Sequence, residues 1–143
     1  MPYKPVATRR KPCVKLLMCS AIGAVWFALP VSADQIMFSY NTELSVTDAF
    51  SSSGQPLEGW CSLIQQDRAN WHRFNKRDPE DEPDPFFGSP EHRAMIAGKC
   101  EIGSNQFAEP GDQIRTGNRQ FYITVQVFGT GGQVMRIAVS DGF

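Results

Sequence analysis

The feature that most limits what this chain can fold into is an uncharged apolar run near its start. The run covers residues 16–31, and the segment before it contains five basic residues and no acidic one. Val31-Ser32-Ala33 follows, with residues that suit a cleavage site. A basic stretch, an apolar stretch and a cleavable end are typical of a secretory signal peptide. We therefore predict a signal peptide at 1–33 and a single exported domain at 34–143.

Other interpretations of this leader remain open. An uncleaved anchor needs about twenty apolar residues, whereas this run is shorter and contains Pro30. A lipoprotein would carry its cysteine at the end of the run, but Cys19 lies near the start. Arg9-Arg10 resembles a twin-arginine signal, although Pro12 follows where a large apolar residue is expected. We expect no stable membrane insertion after cleavage.

Removal of the leader changes the charge of the protein. Residues 34–143 keep nine basic residues against all fifteen acidic ones, which gives a net charge of −6. Binding to phosphate backbones needs a surplus of Lys and Arg, so this balance argues against a general nucleic-acid binder. A segment of this length can bury one hydrophobic core.

Two cysteines remain in the exported part, Cys61 and Cys100. An even number of cysteines in an exported chain predicts a disulfide. Closing a loop of about 40 residues would stabilise the fold by about 4 kcal/mol in the chain-entropy description. Two buried free thiols are the alternative. A metal site is not predicted, because two isolated cysteines fall short of a ligand set.

The hydrophobic pattern predicts an α+β fold. A small antiparallel sheet with a C-terminal β-hairpin packs against one longer and one short helix. The predicted elements are strands at 36–40 and 43–47, a helix from Pro56 to about Asn75, a short helix at 90–97, and hairpin strands at 121–127 and 135–139 around the glycine-rich turn 129–132. Residues 101–118 are expected to be loop.

The longer helix carries both the expected core face and a candidate polar site. Its apolar face is expected to include Trp60, Ile64, Trp71 and Phe74. His72, Asp67 and Arg68 form the candidate polar site, because a histidine beside a carboxylate can perform acid–base chemistry. Cations and aromatic residues also alternate through 68–77, a pattern found in anion-binding surfaces.

Residues 78–90 form an acidic, proline-rich loop, which we call the acidic loop. Four prolines exclude regular structure there. We consider it the candidate interaction surface, and its candidate residues are Glu80, Asp81, Glu82, Asp84, Phe86 and Phe87. We favour an arrangement in which the two phenylalanines fill the core beneath the loop, and the alternative is that they are exposed anchors for a partner. Deletion of 80–85 is expected to leave the fold intact. The carboxylates also offer oxygen ligands for Ca²⁺, although their spacing does not match an EF-hand.

No motif in the sequence specifies a reaction. Nucleophile, zinc-protease and phosphate-loop motifs are absent from it. We therefore expect a small, non-enzymatic, periplasmic or secreted binding module, with no catalytic residue, cofactor or metal. Its expected partner is a protein or another macromolecule outside the cytoplasm, and not nucleic acid. The alternatives are a small hydrolase that uses His72 with a nearby carboxylate and a Ca²⁺-dependent module at 78–84.

Overall fold

A computed structural model describes residues 34–103, 109–117 and 119–142. The predicted signal peptide, 1–33, lies outside the described residues. The elements in chain order are β1 (Gln35–Leu44), α1 (Trp60–Ala69), a π-helical turn (Asn70–Phe74), α2 (Pro90–Ala94), β2 (Cys100–Ile102), α3 (Pro110–Arg115), β3 (Phe121–Thr130) and β4 (Gln133–Asp141). In the part of the chain that is described, no helix is both long and apolar enough to cross a bilayer.

The strands form one sheet in the order β1-β3-β4-β2. β1 and β4 each pair with β3 in antiparallel fashion, and the predicted α+β class is confirmed. The sheet is mixed, however, because β2 pairs with β4 in parallel. The chain returns through α3 and β3 after β2, and β4 therefore runs in the same direction as β2. The two predicted N-terminal strands are one strand, with a bulge at Met37. The prediction of a strand to residue 47 was wrong, because β1 ends at Leu44 and a turn follows.

The predicted C-terminal hairpin is confirmed. Gly131 and Gly132 form its two-residue turn with φ angles of 58° and 77°, which glycine adopts without a steric penalty. Alternate residues of β3 are buried, as expected. The alternation of Ile137 and Val139 extends to Met135 in the sequence, but a bulge changes the phase of β4 there. Val134 is buried instead, and Met135 is exposed.

The longer helix is shorter and less regular than predicted. It begins at Trp60 rather than Pro56 and becomes π-helical at Asn70. Asn75 ends it in the left-handed conformation, with φ 52°. Trp60, Leu63 and Ile64 are buried, but Phe74 is exposed and not part of the core as expected. Trp71 is half-buried. The α-helical spacing that predicted the positions of Trp71 and Phe74 does not hold in the π-helical turn, which has more residues per turn.

A disulfide joins Cys61 in the first turn of α1 to Cys100 at the start of β2, as predicted. The two Cα atoms are 5.6 Å apart. The bond connects the helical layer to the edge of the sheet. The core lies between these layers and includes Leu63, Val125 and Ile137.

Helix α3 was not predicted, since 101–118 was expected to be loop. Tertiary contacts explain it. A Cβ atom at Gly111 would lie 1.9 Å from the carbonyl oxygen of Leu57, so the backbones approach more closely than a side chain permits. Arg115 donates hydrogen bonds to the Leu57 carbonyl and, at 2.8 Å, to Glu58. These contacts come from residues far away in the sequence.

Candidate functional site

Arg68 lies at the centre of a buried polar cluster beneath the acidic loop. It belongs to the candidate polar site, and its side chain is fully buried. Its guanidinium donates to Asp67 at 2.8 Å, to the Glu82 carbonyl at 2.8 Å and to Thr42 at 2.9 Å. The same group lies 4.4 Å from the centre of the Tyr40 ring. β1 and the acidic loop cover this side of α1, which explains the burial.

Asp84 connects Arg68 to the acidic loop and to His72. Its Oδ2 atom lies 3.3 Å from Arg68 Nη1 and 2.7 Å from His72 Nε2. Its Oδ1 atom accepts hydrogen bonds from the Phe86 and Phe87 amides. Burial alone would raise the pKa of Asp84, but these amides, His72 and Arg68 together lower it. Asp84 is therefore ionised, and His72 Nε2 donates the hydrogen bond.

Asp67 is buried beside the same arginine. It accepts a hydrogen bond from Arg68, and its Oδ2 atom lies 3.0 Å from the Thr42 hydroxyl, whose single proton is shared with Asp81. Burial raises its pKa to about 7, although the adjacent Arg68 charge acts in the opposite direction. Desolvation thus outweighs the ion pair. This side chain is a proton-binding group at neutral pH, but it contacts Arg68 rather than His72.

Asp48 and Asn70 form a second buried pair at the π-helical turn. Asp48 accepts hydrogen bonds from the Ser45 amide at 2.9 Å and from the Asn70 side chain at 2.9 Å. Asn70 also donates to the Thr47 carbonyl. Burial, together with the charge of Asp67, raises the pKa of Asp48. These contacts hold the segment after β1 against the helix.

The acidic loop covers the outer edge of β1. The Asn41 amide donates to the Glu82 carboxylate at 2.8 Å, and the Glu82 amide donates to the Asn41 carbonyl at 2.9 Å. Asp81 accepts from the Glu43 amide, from the Thr42 hydroxyl and from the Asp78 amide. Covering an exposed edge prevents it from pairing with other strands. The expectation that residues 80–85 are dispensable for folding conflicts with these bonds.

The aromatic end of the acidic loop lies partly in the core. Phe87 is fully buried and contacts Phe38 and Tyr40 edge-on. Phe86 is half-buried and stacks on the ring of His92 with centroids 4.0 Å apart. His92 Nδ1 donates to the Phe86 carbonyl at 2.8 Å, which also fixes the histidine tautomer.

The six candidate loop residues therefore divide into three groups. Asp84 and Phe87 are buried, while Asp81 and Phe86 are half-buried. Glu80 and Glu82 are exposed, and Glu82 is also bonded to β1. In the described ranges, no group of three or more histidine, cysteine or acidic side chains could hold a metal ion. The carboxylates at 81 and 84 instead accept hydrogen bonds from protein groups.

His72 meets one requirement of an acid–base residue, because Asp84 orients its ring. The imidazole is mostly buried, with 19% of its side chain exposed. Four surface clefts have volumes of about 560, 330, 280 and 270 Å³. None of these four has His72 or His92 among its lining residues.

Sequence reasoning brought His72, Asp67 and Arg68 together but missed Thr42, Asp48 and Asn70. The structure shows that Asp84, not Asp67, contacts His72. The sequence contains one signal of this buried cluster. Asp67 and Arg68 are adjacent, have opposite charges and lie next to the apolar face of the helix. The partners on β1 and in the acidic loop depend on tertiary packing. Comparison with family models, with curated proteins and with solved structures finds no match for this chain.

Proposed function

We propose that residues 34–143 act outside the cytoplasm as a small, non-enzymatic binding module, and that the acidic loop is its contact surface. One observation carries the proposal. The inward side chains of the loop are bonded to the core and to β1, while a ridge of exposed residues faces outward. The exposed residues are Pro79, Glu80, Glu82, Pro83, Pro85 and Gly88.

A loop fixed in this manner is suited to recognition. Binding by a mobile segment costs free energy, because the segment loses conformational freedom, and a preorganised segment avoids most of that cost. Irregular loops of this length in a small domain are often functional. The loop contains no helix or strand before α2, and the buried contact between Arg68 and Asp84 fixes its conformation instead.

The ridge favours a basic partner protein. Glu80 and Glu82 give it negative charge, and its prolines limit the conformations of the backbone between them. Opposite charge on a partner would increase the rate of encounter and would select against acidic proteins. The prolines offer small apolar contacts between the charges.

Co-purification tests this proposal. The tagged, exported protein is isolated with its bound partners in three forms: unmodified, Glu80→Lys with Pro83→Ala, and Glu91→Lys. Glu91 is an exposed acid on α2 and provides a control with the same charge change. We expect the captured partner to be lost from the loop variant and retained by the control. Equal capture by all three forms would exclude the loop as the contact surface.

Location outside the cytoplasm is part of the same proposal. The Cys61–Cys100 disulfide supports it, because such bonds persist in oxidising compartments. Mass spectrometry of cell fractions provides the test. We expect a chain that begins at Asp34 and has no alkylatable thiol. A cytosolic chain that retains Met1 and has reactive thiols at 61 and 100 would contradict the proposal.

A second candidate is acid–base catalysis by His72, which the 2.7 Å contact with Asp84 favours. A panel of p-nitrophenyl esters distinguishes it from a binding module. Hydrolysis that is lost in the His72→Gln variant and retained in the His92→Gln variant would support the enzyme. The binding module is expected to show no hydrolysis above the buffer rate.

A further inference from the structure

A second surface lies around the segment 45–52 and borders the acidic loop at Asp78 and Pro90. Three of the clefts meet there. The clefts of about 560 and 280 Å³ share Val46 and Thr47, and the clefts of about 280 and 330 Å³ share Ser51 and Gln66. Because the central cleft shares lining residues with both of the others, the three clefts lie next to one another, and we call the surface that they form the 46–76 groove.

Exposed apolar side chains are concentrated at the middle of this groove. Val46 is 53% exposed, and Phe50 and Phe74 are each 38% exposed. All three line the central cleft. The other large exposed apolar residues among those described, Ile36, Tyr122 and Met135, lie on strands of the sheet. A concave apolar surface of this kind fits one bulky side chain of a partner.

The charge around the groove is opposite to that of the protein as a whole. Lys76 lines the central cleft, Arg73 lines one neighbouring cleft and Arg119 lines the other, and all three are exposed. Asp78 is the acidic residue in these linings. Residues 34–143 as a whole carry six more acidic than basic residues. A local excess of cations on an acidic protein selects anionic ligands.

The polar groups of the groove are also held in place. Gln66 donates to Asn70, and Asn70 donates to the Thr47 carbonyl and to Asp48. The floor of the central cleft is therefore a fixed network between α1 and the segment after β1. Three clefts, of which the central one borders both of the others, suit an extended ligand better than a flat surface.

We propose that the 46–76 groove binds an extended acidic peptide segment of a partner protein. A bulky apolar side chain of that segment occupies the central cleft among Val46, Phe50 and Phe74. Its carboxylates pair with Lys76 and Arg73. This proposal does not depend on the exposed ridge at 79–88, because none of the ridge residues lines the groove.

A random 12-residue peptide display library, selected against the folded protein, provides the probe. We expect the enriched peptides to combine an aromatic or leucine residue with at least two acidic residues. A synthetic peptide of the enriched sequence is then titrated by fluorescence anisotropy. We expect its Kd to rise at least tenfold for Phe74→Ser and for Lys76→Glu, and to rise with ionic strength.

Met135→Ser is the matched control, because it also removes an exposed apolar side chain but lies on β4. Its Kd is expected to equal that of the unmodified protein, and circular dichroism confirms that each variant is folded. No enrichment, enrichment without acidic residues, or equal affinity for Lys76→Glu would overturn the proposal.

Two further experiments test the other possible occupants. One measures binding of the protein to vesicles that contain an anionic phospholipid, and the other measures self-association of the protein alone by sedimentation equilibrium. Vesicle binding or self-association that the same variants abolish would overturn the proposal in favour of a membrane surface or a second copy.

Discussion

Arg68 connects three segments that are distant in the sequence. Its guanidinium contacts Asp67 on α1, Thr42 on β1, and Asp84 with the Glu82 carbonyl in the acidic loop. Each nitrogen of the guanidinium has a partner, which satisfies the requirement for burying such a charge. Lysine could not replace these bonds, because it lacks the planar arrangement of donors.

Replacement of Arg68 by methionine tests this role. Arg68→Met leaves Asp84 and Asp67 buried without their counter-charge, and we expect the free energy of unfolding to fall by about 3–5 kcal/mol. Urea denaturation measures the change. Arg73→Met is the control on the exposed side of the same helical segment, with an expected change within about 0.5 kcal/mol. A loss below about 1 kcal/mol for Arg68→Met would show that the cluster does not stabilise the fold.

Tyr40 offers a substitution in the same cluster that is not expected to lower the free energy of unfolding. Its hydroxyl is buried and has no hydrogen-bond partner within the described protein atoms, and burial raises its pKa well above the usual value. Tyr40→Phe keeps the ring that contacts Arg68 and Phe87. We expect a free energy of unfolding equal to that of the unmodified protein or up to about 1 kcal/mol higher. A marked loss in urea denaturation would indicate that the hydroxyl makes a stabilising bond.

At the scale of elements, the acidic loop resembles a covering strand without being one. Its side-chain carboxylates occupy positions at the edge of β1 where the backbone of a neighbouring strand would otherwise lie. Residues that face inward alternate irregularly with residues that face outward as a result. Asp81 faces the sheet edge, whereas Glu80 faces solvent.

This alternation predicts unequal effects of neighbouring substitutions. Asp81→Ala removes an acceptor used by the Glu43 amide, the Thr42 hydroxyl and the Asp78 amide. We expect a loss of about 1–3 kcal/mol in the free energy of unfolding. Glu80→Ala is the matched control, with an expected change within about 0.5 kcal/mol. Equal effects in thermal or urea denaturation would mean that the loop does not depend on these bonds.

At the scale of the whole molecule, buried carboxyl groups couple stability to pH. In an unfolded chain the Asp67 carboxyl titrates near pH 4, whereas burial in the folded state raises its pKa to about 7. Between these values the folded state binds more protons than the unfolded state. Rising pH therefore favours unfolding across this window. Asp48 acts in the same direction, because burial raises its pKa as well.

Urea denaturation at several pH values tests this coupling. We expect the free energy of unfolding to fall between pH 5 and pH 7, with a slope of up to about 1.4 kcal/mol per pH unit for each such carboxyl. Asp48→Asn removes one of these groups and is expected to flatten the slope. The pKa of Asp84 is lowered, so this group makes the free energy of unfolding rise with pH, but only in more acidic solution. A stability that is constant or rises from pH 5 to pH 7 would contradict this expectation.

The sequence by itself determined the features that depend on local patterns. Alternating apolar residues predicted the C-terminal hairpin, glycines predicted its turn, and an even number of cysteines predicted the disulfide. Tertiary structure alone decided the parallel pairing of β2, the existence of α3 and the burial of Arg68. Each of these depends on groups that come together only when the chain folds. The physical reason is that a charge or a short helix is stable in the interior only where distant segments supply its partners.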